Sequence, residues 1–224
     1  MAQKFITKRI LHEYQNLALY LMDGDARVAL SEDDDRALPS ILFEVPITDG
    51  CYKGQKHIVK MDLIWGPNNE NVFPDKGMSF PLCHIETPIW HPNIDKAGNI
   101  CVSILTADGW NPLYSLETVV GSIIVLLNTP NPDSPQWKEP ASDFINMKLE
   151  EFQVKSKKYY DDNVDEKQFE VFRDWTPERL YTSMGGKQED LEKRIADKKK
   201  SEQAEKDEAE KLKQISDDLD DLDF

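Results

Sequence analysis

"HPNIDKAGNICVSIL", residues 91 to 105, decides how this chain is read, because it gathers a histidine, a proline, an asparagine and a cysteine within eleven positions. Asn93 to Gly98 is turn material, with Gly98 free to take φ > 0, and a short apolar run starts at Ile100. Cys101 therefore stands where irregular backbone meets buried chain. A thiol in such a place is either reactive or merely packed.

Upstream of this turn, Ile6, Ile10, Tyr14, Leu17 and Leu21 recur at helical spacing, so the chain opens with an amphipathic helix that carries Lys8 and Arg9 and ends at Asp23-Gly24-Asp25. Four short apolar runs follow: "ARVALS", "SILFEV" after the acidic turn Glu32 to Asp35, "HIVKMDLIW" and "FPLCHIE". In the third, Val59, Met61, Leu63 and Trp65 alternate with Lys60 and Asp62, the pattern of a half-buried strand. Short connections between these runs predict a four-stranded antiparallel meander.

Downstream of Cys101 the texture changes. Ser115 is a suitable N-cap and Glu117 suits a first turn; the run from Leu116 to Leu127 leaves almost no polar face, which predicts a buried central helix. Pro130, Pro132 and Pro135 end it and force extended chain. Residues 141–160 and about 165–182 read as two further helices, and Gly185-Gly186 closes the compact part. The expected class is α+β, with a core domain over residues 1–160, an additional helix within 161–186 and a charged tail over 187–224.

At 224 residues and 39% hydrophobic, the chain can bury one core of about 150 residues with chain to spare. Three cysteines without a C-x-x-C spacing argue against a disulfide framework, and the N-terminus lacks a signal-peptide pattern, so a reducing cytoplasm or nucleus is expected. No window approaches the roughly 18 apolar residues of a membrane span. Net charge is −15, of which residues 161–224 carry −9. Such a field disfavours direct nucleic-acid binding, because phosphates would be repelled.

The order helix, four-strand meander, His91-Pro92-Asn93, Cys101, Trp110-Asn111-Pro112, buried helix and "LLNTPNPDSP" resembles the ubiquitin-conjugating enzymes. Cys101 lies eight residues after Asn93, where that family keeps its catalytic cysteine, and Tyr52-Lys53-Gly54 is similar to its Tyr-x-Gly-Gly. The resemblance covers about residues 4–160. It departs at Gln55, in "KGMSFP" before the fourth strand, at Ser103 and Thr129, and in one extra residue between Cys101 and Trp110.

The resemblance implies that Cys101 accepts ubiquitin, or a ubiquitin-like modifier, as a thioester from an activating enzyme and passes it to a lysine, usually with a ligase. No cofactor is implied on this chain, since ATP is used by the upstream activating enzyme. The alternative is a non-catalytic ubiquitin-binding or scaffold variant of the same fold. Asn93 offers an amide that can stabilise an oxyanion, or it can hold its own turn through backbone bonds. His91 is expected as a buried hydrogen-bonder, with Ser103 and Thr129 as neighbours of the site. Thr129 cannot act as a base near neutral pH, so the incoming lysine must lose its proton through desolvation. By the same carry-over Lys8 and Arg9 face the activating enzyme, and Met78 with Pro112 and Leu113 faces a ligase.

A zinc site built from Cys83, His84, His91 and Cys101 fits no usual ligand spacing, and adjacent Cys83 and His84 on a strand point to opposite faces; no metal is expected. In the tail, Glu189 to Lys193, Asp190 to Arg194, Glu202 to Lys206 and Asp207 to Lys211 are i,i+4 pairs, which predicts an exposed charged helix over 187–215. The end, "DDLDDLDF", reads as disordered and as a candidate docking peptide for a ligase, by analogy with acidic tails in the family.

Overall fold

A computed structural model describes residues 8–22, 27–31, 39–47, 49–65, 71–73 and 80–220. Ile6, Asp23-Gly24-Asp25, Glu32 to Asp35, Met78 and residues 221–224 lie outside the described residues. The apolar stripe of the first helix forms α1, Lys8–Leu21, with Ile10, Tyr14, Leu17 and Leu21 buried.

The chain then runs through β1 (Val28–Leu30), β2 (Ile41–Pro46) and β3 (Lys56–Asp62), a small hairpin of β4 (Ile64–Trp65) and β5 (Asn71–Val72), and β6 (Leu82–Ile85). β1, β2, β3 and β6 form the antiparallel meander in that order. The small hairpin was not signalled, since His57 to Trp65 reads as one strand. The ladder to β6 instead stops at Asp62, and the Leu63 carbonyl accepts from the Phe73 N–H at 2.8 Å.

Register sorts the side chains into two faces. Val28 pairs with Phe43, Phe43 with Val59 and Val59 with Ile85, and all four are buried. Ala29, Leu42, Glu44, Ile58, Lys60 and His84 share the opposite face. That second face is also covered: Phe169 and Phe172 pack on Ala29 and Ile58, flanked by Leu42, Val164, Val171 and Trp175. Glu44 pairs there with Arg27, whose guanidinium lies 5.3 Å from the Phe172 ring centre.

The central helix is α2, Leu116–Asn128, capped by Ser115, whose hydroxyl accepts from the Thr118 N–H at 3.2 Å. Leu116, Val119, Val120, Ile123, Leu126 and Leu127 are buried, but Val125 is 63% exposed, so the helix has one open apolar position. The helix expected over 141–160 is two, α3 (Lys138–Asn146) and α4 (Leu149–Asn163). Asn146 turns its amide back onto the Ser142 carbonyl at 2.7 Å, Met147 is extended, and Glu150 and Glu151 start a new first turn.

The helix expected over 165–182 is likewise broken, into a 3-10 turn at Glu166–Phe172 and α5 at Pro177–Ser183. Pro177 forces Thr176 into extended backbone, where its hydroxyl caps the Arg179 N–H at 3.1 Å. α5 packs against α1 and β1. The chain divides into two compact units, Met1–Met184 and Gly185–Phe224. The second contains α6, Gln188–Asp220, a single charged helix that continues past the expected end at 215. Among the described residues no helix is long and apolar enough to cross a membrane.

Candidate active site

The His91-Pro92-Asn93 turn is built on a neutral histidine. His91 is fully buried and stacked on Tyr52 with ring centres 5.1 Å apart. Its Nδ1 accepts from the Asn93 N–H at 3.0 Å, so the proton sits on Nε2 and is donated to the Leu126 carbonyl at 3.1 Å. Burial pulls its pKa down to about 4, against the carbonyl that favours the proton. With both nitrogens engaged, His91 is a structural link between the turn and the end of α2.

Asn93 is 2% exposed, and its side chain is saturated. Its Nδ2 donates to the carbonyls of Asn131 at 2.7 Å and Ser134 at 3.1 Å, while its Oδ1 accepts from the Asn131 N–H at 2.8 Å. The Pro92 carbonyl accepts two more bonds, from Gln136 N–H at 2.8 Å and Trp137 N–H at 2.9 Å. The proline-rich segment is thus stapled to the His-Pro-Asn turn by five hydrogen bonds. The amide expected as an oxyanion donor spends both hydrogens on that staple.

Behind the turn, Ile94 and Ile100 form an isolated bridge, and the Asp95 carboxylate accepts from the N–H groups of Ala97 and Asn99 and from the Asn99 amide. Burial raises the Asp95 pKa slightly, but these bonds outweigh it and hold the carboxyl below its usual range. Gly98 sits at φ +87, and a Cβ there would meet the Ile85 carbonyl at 2.1 Å, so only glycine fits. The hairpin delivers Cys101, whose N–H donates to the Asn93 carbonyl at 2.9 Å.

The three thiols differ sharply. Cys51 is 5% exposed and its pKa is pushed up by burial to about 11; Cys83 is also 5% exposed and burial pushes it above the ordinary thiol range. Cys101 is the partly exposed one. Two residues on, Ser103 is exposed at the start of a 3-10 turn, Ser103–Leu105, and Thr129 is exposed at the C-cap of α2. His84 and Cys83 face opposite sides of β6, and among the described residues no three His, Cys, Asp or Glu side chains gather as a metal site.

Pro112 and Leu113 lie on one loop with Trp110 buried at its base, and Leu113 is 82% exposed. Lys8 and Arg9 are exposed on α1. Arg9 also reaches the Tyr114 carbonyl at 3.3 Å and Glu13 at 3.1 Å. Glu13, 6% exposed, completes the link by accepting from the Leu116 N–H at 2.9 Å, the first residue of α2. The sequence reading missed Glu13, although its i,i+4 spacing from Arg9 was visible. It also missed the aromatic group behind the turn. Trp90 and Trp137 have ring centres 4.7 Å apart, and Tyr159 lies 5.2 Å from Trp90.

Comparison with known proteins gives a consistent result. Residues 9–160 match the ubiquitin-conjugating enzyme family. "Ubiquitin-conjugating enzyme E2 13" of Schizosaccharomyces pombe is 33% identical over 141 residues, covering 60% of this chain and 86% of that protein. "Ubiquitin-conjugating enzyme E2 N" of Macaca fascicularis is 46% identical over 68 residues, 27% of this chain and 44% of that protein. A probable ubiquitin-conjugating enzyme of Acanthamoeba polyphaga mimivirus is 44% identical over 75 residues, 34% of this chain and 48% of that protein. The alignments thus span about half of the macaque and mimivirus relatives and most of the Schizosaccharomyces one. Because the family match takes in more than half of the chain, this protein belongs to the ubiquitin-conjugating enzyme family.

Proposed function

We propose that the chain is a ubiquitin-conjugating acyltransferase that carries ubiquitin, or a ubiquitin-like modifier, as a thioester on Cys101 and delivers it to a lysine. The observation that carries this reading is the contrast among the thiols: Cys101 alone is open to a partner, while Cys51 and Cys83 are buried with their protons held tightly. In the first step the Cys101 thiolate attacks the thioester carbonyl presented by the activating enzyme. A new C–S bond forms, and the enzyme's own thiolate leaves.

In the second step an amine attacks the Cys101 thioester, the C–S bond breaks, and Cys101 leaves as thiolate while the amine's surplus proton passes to solvent. His91 is committed to Leu126 and Asn93 and takes no part as a base. Thr129 cannot supply one, so the lysine must shed its proton by desolvation at the mouth of the site. Asn93 acts as the staple that sets Cys101 against residues 131–134. Lys8 and Arg9 serve the activating enzyme; Pro112 and Leu113, with Met78, serve a ligase. The acidic tail offers that ligase a second docking point.

The test is incubation of the full chain with activating enzyme, ATP and a panel of modifiers, resolved with and without reductant. A reductant-labile adduct that depends on Cys101 is expected. If none forms with any modifier, the chain is a binding or scaffold variant of the fold.

A further inference from the structure

The staple has a further component in the side chain of Trp137. The backbone N–H of this residue makes one of the five bonds, to the Pro92 carbonyl at 2.9 Å, and the residue is 6% exposed. That ring packs against Trp90, one residue before His91, at 4.7 Å and against Tyr159 of α4 at 5.9 Å. Lys96, at the tip of the hairpin that leads to Cys101, places its ammonium 5.2 Å from the Trp137 ring centre. One side chain therefore touches the chain on both flanks of His91-Pro92-Asn93.

The far side is braced as well. The Trp90 Nε1–H donates to Asp143 of α3 at 2.9 Å, Lys155 of α4 pairs with the same carboxylate at 2.5 Å, and its ammonium lies 4.9 Å from the Trp90 ring centre. Trp90 is thus held by α3 and α4, and Trp137 is held by Trp90 and Tyr159. Cys101 hangs from this frame through its bond to the Asn93 carbonyl.

The geometry points to Trp137 as a positioning residue for acyl transfer from Cys101: it fixes the cysteine hairpin and the 131–137 segment, which together form the mouth of the site, in one frame. The inference rests on Cys101 as the acyl carrier. Trp137 acts through its contacts with Trp90, Tyr159 and Lys96 rather than on the thiol or the amine, so its loss changes the fraction of time the two are aligned rather than how tightly the amine binds. Misplacement of reacting groups by about 1 Å can cost up to about a hundredfold in rate. Removing the ring while the backbone bonds remain should cost less, about tenfold.

The experiment uses the full chain charged with ubiquitin by activating enzyme and ATP; charging is then stopped and discharge to free lysine is followed over a range of lysine concentrations. Trp137→Ala should charge within about twofold of wild type, discharge about tenfold more slowly at saturating lysine, and keep its half-saturation point. Trp137→Phe should restore the rate to within about threefold, and Lys96→Met, which keeps the stem and loses the cation, should fall between. Phe172→Leu, in the apolar cluster with Ala29, Ile58 and Phe169, serves as a variant of lowered melting temperature that should discharge normally.

Discharge of Trp137→Ala at the wild-type rate would overturn the inference. So would a slowing shared by Phe172→Leu, which would make it a general effect of stability, or a raised half-saturation point at constant maximal rate, which would place the ring against the amine. Absence of any reductant-labile adduct on the wild-type chain would instead overturn the acyl-carrier reading, and this inference with it.

Discussion

Lowering the pH from 7.5 to 5.5 should remove about 3 kcal/mol of stability from this domain, and two histidines set that figure. His57 and His91 are both 0% exposed. Burial brings His57 down to about 3, with the neighbouring His91 adding to it, and burial brings His91 to about 4. Their folded values lie below the ordinary 6.5, so the unfolded chain binds more protons in this range. The stability they allow is complete above pH 6.5 and is lost as pH falls toward the folded values.

At pH 5.5 an unfolded imidazole is about 90% protonated while the folded ones stay neutral, which costs about 1.4 kcal/mol for each histidine. That is a substantial part of the ~5–15 kcal/mol typical of a whole domain. The window stays above the pH at which most carboxylates titrate. Urea denaturation at half-unit pH steps, followed by tryptophan fluorescence, measures the slope directly. His57→Gln, which keeps a hydrogen-bonding side chain near Thr87 but cannot titrate, should cut the slope between pH 5.5 and 6.5 by about half. An unchanged slope in that variant would refute the reasoning.

Four further outcomes follow from the site and the sheet. Cys101→Ser should replace the reductant-labile adduct with a slower, reductant-stable ester, since an alkoxide leaves less readily than a thiolate, whereas Cys51→Ser and Cys83→Ser should keep the labile adduct; gel analysis with and without reductant distinguishes them. Asn93→Ala removes three of the staple's bonds, so it should lower the unfolding free energy measured in urea by about 1–3 kcal/mol and slow lysine discharge more than charging; slowed discharge at full stability would return the amide to the oxyanion role. Phe172→Ala should cost about 3–5 kcal/mol in denaturation, because a fully buried ring is lost from the covered sheet face. Truncation after Gly186 should leave Cys101 chargeable but slow ligase-dependent transfer at low ionic strength, an effect that fades as salt rises; equal rates at every salt concentration would reduce the tail to a solubilising segment.

Much of this fold was legible because local signals and the global pattern agreed. The stripe of α1, the Ser115 cap and the turn around Gly98 each follow from a few neighbouring residues. What escaped was non-local. Alternation in β3 marks Lys60 and Asp62 as an open face, but nothing near Ile58 announces that Phe169 and Phe172, more than a hundred residues later, will bury it. The broken helices escaped for a different reason: Asn146 and Pro177 are local stop signals, and apolar periodicity on either side outweighed them in the reading.

Within the site, Cys101, His91 and Asn93 could be singled out from one stretch of fifteen residues, because turn chemistry and spacing concentrate them there. What Asn93 does with its amide could not, since its three partners belong to Asn131 and Ser134. Glu13 and Trp137 escaped for the same reason. Each acts on residues remote in sequence: Glu13 at the start of α2, and Trp137 on the turn about forty-five residues before it.

The staple also has a temporal side. Asn93 bonds to residues 38 and 41 positions downstream, so the frame around Cys101 closes a loop far longer than a hairpin. Such contacts form late, after the local turns and helices, because the entropy of closing the loop is spent before any of the bonds reward it. On a chain growing from its N-terminus, Cys101 emerges about thirty residues ahead of the segment that will seat it. During that interval α1, the meander and the Gly98 turn can already be in place while the thiol is still unseated. The seat of Cys101 is thereby completed only after residues 131–137 have arrived and the proline-rich segment docks on the turn.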